Sequence, residues 1–272
     1  MNRGDADAGI RSHTDARLRY VATTRLGFDG PVGRAIGIAT STSYVYSFSP
    51  HTEPINTLSG DEDAQLYSQI TFPWLDIYLG IVMVYDATSD AQKVHCRLAF
   101  AQSVHAFDWR WVEGTYATAP DFVPLGADGD FDSHICFAAA TPVSTDDGER
   151  VYYMGGDGPH SGDRNSSFAL ATLRKDGFAG IVGSGRFALR PVVCGGATLT
   201  VTADIAPGGS IRVGLLNSTT LGLDAATAVT ADATDAAVAF AGGADFTDLV
   251  GGDVSLEVEL VNATIYVVGF DA

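Results

Sequence analysis

Short apolar or alternating runs, each cut off by glycine, aspartate, asparagine or proline, recur along this chain from end to end. Helical 3.6-residue periodicity is scarce, so no long amphipathic stripe is available to pack one helix on another. The pattern predicts an all-β fold. Expected strands are LRYVATTRL (18–26), RAIGIATS (34–41), YLGIVMVYDA (78–87), VHCRLAFAQS (94–103), HICFAAATPV (134–143), RVYYMGG (150–156) and SFALATLR (167–174). Their spacing fits four-stranded blades or meanders better than βαβ units.

After Cys194–Gly196 the texture becomes richer in Ala, Thr, Val and Gly and almost free of aromatics and histidine. The change places a boundary near residue 190: a polar N-terminal tail over 1–17, a β domain over 18–190, and a second β domain over 191–272. In the second domain ATLTVTADI and SIRVGLLN flank a Pro207-Gly208-Gly209 turn, and VSLEVELV and TIYVVGF are expected to be joined by a tight turn at Asn262–Ala263. Alternation puts Glu257 and Glu259 on one face and Leu256, Val258 and Leu260 on the other, as a sheet with one wet side requires. The outline is a β-sandwich. It carries no catalytic set, which leaves a lectin-like role or a stabilising one.

With 46% hydrophobic and 10% aromatic residues in 272, the chain has ample material for a core. No apolar run approaches the roughly 20 residues of a membrane helix. The formal charge is −17, and lysine occurs only at Lys93 and Lys175, so the clustered cations that nucleic acid needs are missing. The N-terminus is polar, without an apolar signal-like stretch; an extracellular setting remains the working expectation. Cys96, Cys136 and Cys194 are widely spaced among apolar neighbours and read as buried thiols, with room for one disulfide, and no zinc spacing is present. Sequons begin at Asn165, Asn217 and Asn262, and Arg3-Gly4-Asp5 reads as a chance tripeptide.

Three clusters carry chemistry. LSGDEDAQLYSQITFPWLDIYLG holds Asp61, Glu62, Asp63, Tyr67, Trp74, Asp76 and Tyr78. Carboxylates beside aromatic rings suit a sugar, because rings stack on its apolar face while carboxylates hold hydroxyls or move protons; an acidic turn before a buried aromatic strand is the alternative. In GADGDFDSHICF, Asp128, Asp130 and Asp132 alternate, but the glycine and glutamate of a calcium-binding EF-hand loop are not at their positions. Asp132 is either a turn-stabilising side chain or a carboxylate directed into a cavity, with His134 two residues on. No cofactor and no metal ligand set is expected, with room left for a structural calcium. In YYMGGDGPHSGDR, glycines bring Asp157, His160 and Arg164 together, as substrate contacts or as the solvated charges of a glycine-rich hairpin.

The order of RAIGIATSTSYVYSFS, YLGIVMVYDA, CRLAFAQSVHAFDWRWV, VPLGADGDFDSHICFAAATPV, VYYMGGDGPHSGDR and LATLRKDGFAGI resembles the later blades of five-bladed propeller glycosidases of the invertase and arabinanase type. Members of that group with a C-terminal β-sandwich are the nearest in kind, and the likeness covers roughly residues 18–270. It implies a propeller-like domain over 18–190 and an axial cavity with an aspartate nucleophile or base, an orienting aspartate and a glutamate acid. Two features depart from the family: the first blades are not recognisable, and Leu75 stands where relatives carry an acid, with Asp76 one place later.

Two readings result. In one, the protein is a glycoside hydrolase-like enzyme with Asp76, Glu62 and Asp132 as catalytic candidates and Trp74, Tyr78, Asp157, His160 and Arg164 as substrate contacts. In the other it is a catalytically silent carbohydrate-binding or self-assembling β protein. The expected partner is a carbohydrate, with neither nucleic acid nor membrane, and exposed sheet edges suggest a homo-oligomer.

Overall fold

The computed structural model describes residues 20–27, 34–41, 49–50, 64–87, 90–102, 109–115 and 118–271. In chain order the strands are β1 (Tyr20–Gly27), β2 (Arg34–Ser41), β3 (Ser49–Pro50), β4 (Ala64–Trp74), β5 (Ile77–Asp86), β6 (Val94–Ala101), β7 (Arg110–Trp111), β8 (Asp121–Val123) and β9 (Ile135–Ala138). They continue with β10 (Val143–Thr145), β11 (Gly148–Gly156), β12 (Ser166–Leu173), β13 (Ile181–Ala188), β14 (Val192–Val193), β15 (Thr198–Leu215), β16 (Ala233–Ala237), β17 (Asp253–Val254) and β18 (Leu256–Asp271). Short 3-10 turns at Ala241–Gly243 and Thr247–Leu249 are the helical pieces among the described residues. The protein is all-β, as the broken apolar runs require.

Two compact units divide the chain: one contains the residues up to Val143 together with Arg150–Thr172, the other Ser144–Glu149 and Leu173–Ala272. In the first, β4, β5 and β6 form an antiparallel meander. β5 is buried along almost its whole length, as its near-continuous run LGIVMVY demands of a central strand. The far edge of β6 is shared in turn by β7 at Ala99–Phe100, β8 at Cys96–Arg97 and β9 at Val94. β9 then pairs antiparallel with β11, placing Gly155 opposite Cys136 and Tyr153 opposite Ala138, and β12 follows on β11. Ile36, Leu66, Val82, Val84 and Trp109 form the core beneath β5.

In the second unit the sheet order is β13-β18-β15-β16, with β14 and β17 as a separate two-stranded ladder. Leu256, Val258 and Leu260 are buried while Glu257 and Glu259 are partly exposed, so the expected alternation holds. The inner face packs with Phe246, Phe240 and Leu221 into one core. β13 pairs with β18, so the segment just before the compositional change at Cys194 belongs to this sheet.

The turn expected at Asn262–Ala263 is not formed. β18 runs through it, with Asn262 in a left-handed conformation (φ 45°) that asparagine tolerates. Ile205 pairs with Ala263 and Ser210 with Val261, so Ala206–Gly209 bulges from β15 opposite Asn262 and the ladder resumes beyond it. The Pro207-Gly208-Gly209 turn is thus an excursion within one strand. Asn262 is held by its backbone N–H, which donates to Ser184 Oγ at 2.9 Å.

Candidate functional site

Asp132 lies in the loop between β8 and β9 and is only 7% exposed. Tyr153 of β11 donates its hydroxyl to Asp132 Oδ2 at 2.7 Å. A Cβ on Gly155 would stand 2.7 Å from Asp132 Cβ and 2.9 Å from the Phe131 ring. Glycine is therefore required there: its bare backbone is the floor on which both side chains lie. Burial, then the bond to Asp132, pushes the Tyr153 phenol above its ordinary value.

Phe131 keeps 46% of its surface exposed, with its ring centroid 6.4 Å from that of Tyr153. Exposed Asp128 and Asp130 precede it. Asp130 Oδ2 accepts the Ala127 N–H at 2.9 Å, which fixes the turn. The Asp130 and Asp132 carboxyl groups both lie over Gly126. Ser133 Oγ and His134 Nδ1 are 3.0 Å apart.

The neighbouring loop closes on itself. Asp157 accepts from Asn165 Nδ2 at 2.8 Å and from the Asn165 N–H at 2.7 Å, and these bonds hold its carboxyl below the usual range. Arg164 Nη1 donates to the carbonyls of His160 (2.6 Å) and Pro159 (3.3 Å). The His160 ring sits 4.9 Å from Tyr85, 5.1 Å from Tyr67 and 6.3 Å from Phe137, centroid to centroid. The His160 backbone N–H donates to the Gln92 carbonyl at 3.3 Å, and the Ser161 backbone N–H to Gln92 Oε1 at 2.9 Å. Arg164 thus holds the His160 end of the loop while Asp157 holds Asn165, and these contacts shape the loop.

Trp74, Asp76 and Tyr78 occupy the other end of the sheet. Trp74 pairs with Ile77, leaving Leu75 (φ 50°) and Asp76 as an exposed two-residue turn. Tyr78 is half-buried against the core, and burial raises its phenol pKa. Asp132 rests on Gly155, opposite Cys136, whose sulfur meets Cys96, and Cys96 pairs with Met83. Asp76 sits at the turn that opens β5, whereas this chain of contacts meets β5 further along, at Met83. Glu62, with Asp61 and Asp63, lies outside the described residues.

Several participants escape the sequence reading. Tyr153 shares its face with Val151 in the alternation of β11, a signal that could have pointed it inward. Tyr85 and Phe137 enclose His160, and the Arg34 guanidinium lies 5.2 Å and 5.5 Å from the Tyr67 and Tyr85 ring centroids. Asp121 of β8 meets His95 Nδ1 at 2.8 Å and Arg97 Nε at 3.4 Å, tying β8 to β6. Only the fold brings these groups together.

The second unit has an open groove of about 580 Å³ lined by Val182, Asp204, Pro207, Asp232 and Asn262 among others. Its carboxylates serve the fold. Asp204 takes Arg174 on Oδ1 and the Tyr266 hydroxyl on Oδ2 at 2.8 Å, while Asp232 Oδ1 accepts the Ile205 N–H at 2.7 Å. Burial, with the Asp204 bond second, raises the Tyr266 phenol to about 12.

A raised phenol pKa stabilises the folded state fully below the unfolded value of about 10, and that contribution disappears as pH rises through the folded value. Tyr78, Tyr153 and Tyr266 all shift upward. Stability is thus expected to fall steeply above about pH 10, with delayed phenolate absorbance emerging together with loss of β-sheet circular dichroism. Phenolate formation complete near pH 10 in a still-folded protein would contradict these environments.

These features define an all-β protein with a packed polar and aromatic cluster built on β9, β11 and the loops beside them, and an exposed turn carrying Asp76 between β4 and β5. No family model matches the chain, and no curated protein matches it. Among solved structures, a Bacillus subtilis glycoside hydrolase family 43 arabinoxylan arabinofuranohydrolase in complex with cellotetraose aligns at 13% identity and a TM-score of 0.28, covering 95% of this chain and 52% of that one. Sucrose-6-phosphate hydrolase from Lactobacillus gasseri aligns at 12% identity and a TM-score of 0.33, covering 94% and 68%. The Bombyx mori GH32 beta-fructofuranosidase BmSUC1 aligns at 11% identity and a TM-score of 0.29, covering 90% and 76%. The chain spans about half the length of the first of these. At these TM-scores the functional reading rests on the chain's own residues.

Proposed function

We propose that the protein binds a carbohydrate at the Phe131 cluster and does not cleave glycosidic bonds. The observation that carries the binding reading is the exposed Phe131 ring, seated on Gly155 and accompanied by the carboxylates of Asp128 and Asp130. An aromatic face packs on the C–H face of a sugar ring while carboxylates accept its hydroxyls. Asp132 and Tyr153 satisfy one another beneath the platform and keep it in place.

The silent reading is favoured by what occupies the carboxylates: Asp132 accepts the Tyr153 hydroxyl and Asp130 the Ala127 N–H, while Asp76 sits in a separate exposed turn. Glycoside hydrolysis needs one carboxyl group to donate a proton and a second to attack or to activate water, whereas Asp130 and Asp132 are engaged in holding the turn and the buried phenol. Asp157, His160 and Arg164 act as loop supports next to the platform in this proposal.

Titration of a panel of neutral and acidic oligosaccharides by calorimetry tests it. Phe131→Ala is expected to weaken the best ligand by about tenfold, the loss of one stacking contact, with unchanged thermal stability. Equal affinity in wild type and variant would remove the platform from the account.

A further inference from the structure

We propose that Cys96 and Cys136 form a disulfide bond joining β6 to β9. Both side chains are buried, at 0% and 1% exposure, and their sulfurs are 2.9 Å apart. Closing that gap to the roughly 2.05 Å of a disulfide requires less than an ångström of movement.

The position gives the bond a mechanical purpose. β6 and β9 share a single residue pair, Val94 with Ile135, whereas β6 is fully laddered to β5 and β9 to β11. That thin seam joins the meander carrying Tyr85 to the strands carrying Tyr153 and Gly155. A covalent bridge between residues 40 apart in sequence closes a long loop just there.

In the dithiol form, Cys136 Sγ–H donates to Cys96 Sγ while Cys96 Sγ–H donates to the Cys136 carbonyl at 3.2 Å. The hydrogen bond to Cys96, with burial second, pushes the Cys136 thiol up, so little thiolate exists once the core has closed. The bridge therefore forms during folding, by exchange with a small disulfide such as oxidised glutathione. One cysteine thiolate attacks the oxidant and releases one reduced thiol; the second displaces the other from the mixed disulfide. The cysteine pair loses two hydrogens and the oxidant becomes two thiols. Cys194, buried and donating to Gly196 O at 3.3 Å, stays a thiol.

The test is refolding in a glutathione redox buffer, followed by denaturation with iodoacetamide and mass spectrometry. Expected are a single alkylated cysteine, Cys194, and a linked peptide pair containing Cys96 and Cys136. Reduction should lower Tm by about 10 °C. Cys194→Ala should keep the linked pair, and Cys136→Ala should leave Cys96 and Cys194 both alkylated. Three alkylated cysteines in the refolded wild type, or a link involving Cys194, would overturn the proposal.

Discussion

Asp132→Ala is expected to destabilise the first unit by about 2–4 kcal/mol, read as a lower midpoint in urea. Asp132 is 7% exposed, and its Oδ2 accepts the hydroxyl of Tyr153, itself 7% exposed. Truncation leaves a buried phenol without that acceptor and opens space over Gly126, where Asp132 Oδ1 lies. Asp132→Asn keeps an acceptor of the same size and should cost less than half as much. If alanine and asparagine cost the same, volume rather than the hydrogen bond determines the site.

The second large effect is expected at Arg174. Its guanidinium meets Asp204 Oδ1, the Ala233 carbonyl at 2.6 Å and Thr234 Oγ1 at 2.8 Å, and lies 5.0 Å from the Tyr266 ring centroid. Planar, forked donors serve several acceptors at once, which an ammonium cannot do. Arg174→Ala should cost about 2–3 kcal/mol, with the half-exposed Asp204 limiting the electrostatic part. Arg174→Lys should recover less than half of it. Full recovery by lysine would mean that charge alone matters, and the carbonyl and hydroxyl contacts could then be discounted.

Much of the fold was legible because strand periodicity is local. YLGIVMVYDA reads as a strand from its apolar run, and SLEVEL reads as half-wet from its alternation; both are so in the structure. The error at Asn262 has a physical origin. Pro-Gly-Gly and Asn-Ala signal a turn whether the chain reverses or merely bulges, and only the partner strand decides which.

The candidate site was legible in part for the same reason. The bonds of Arg164 to the His160 carbonyl and of Asn165 to Asp157 join residues close in the chain, across glycines that let the loop curl. What proximity could not show is that Arg164 would cap carbonyls or that rings from Tyr67, Tyr85 and Phe137 would enclose His160. Nor could spacing alone show that Asp76 lies at the β4–β5 turn while Asp132 rests on Gly155 of β11, because that placement depends on the register of β5, β6, β9 and β11.

The central claim, sugar binding without hydrolysis, is tested most directly by running the wild-type protein and Phe131→Ala through a glycan array and an aryl-glycoside turnover screen in parallel. The account predicts wild-type binding to a restricted glycan class, about a tenfold loss in the variant, and no turnover by either. Turnover by the purified wild type, or an array on which it retains no glycan, would contradict it.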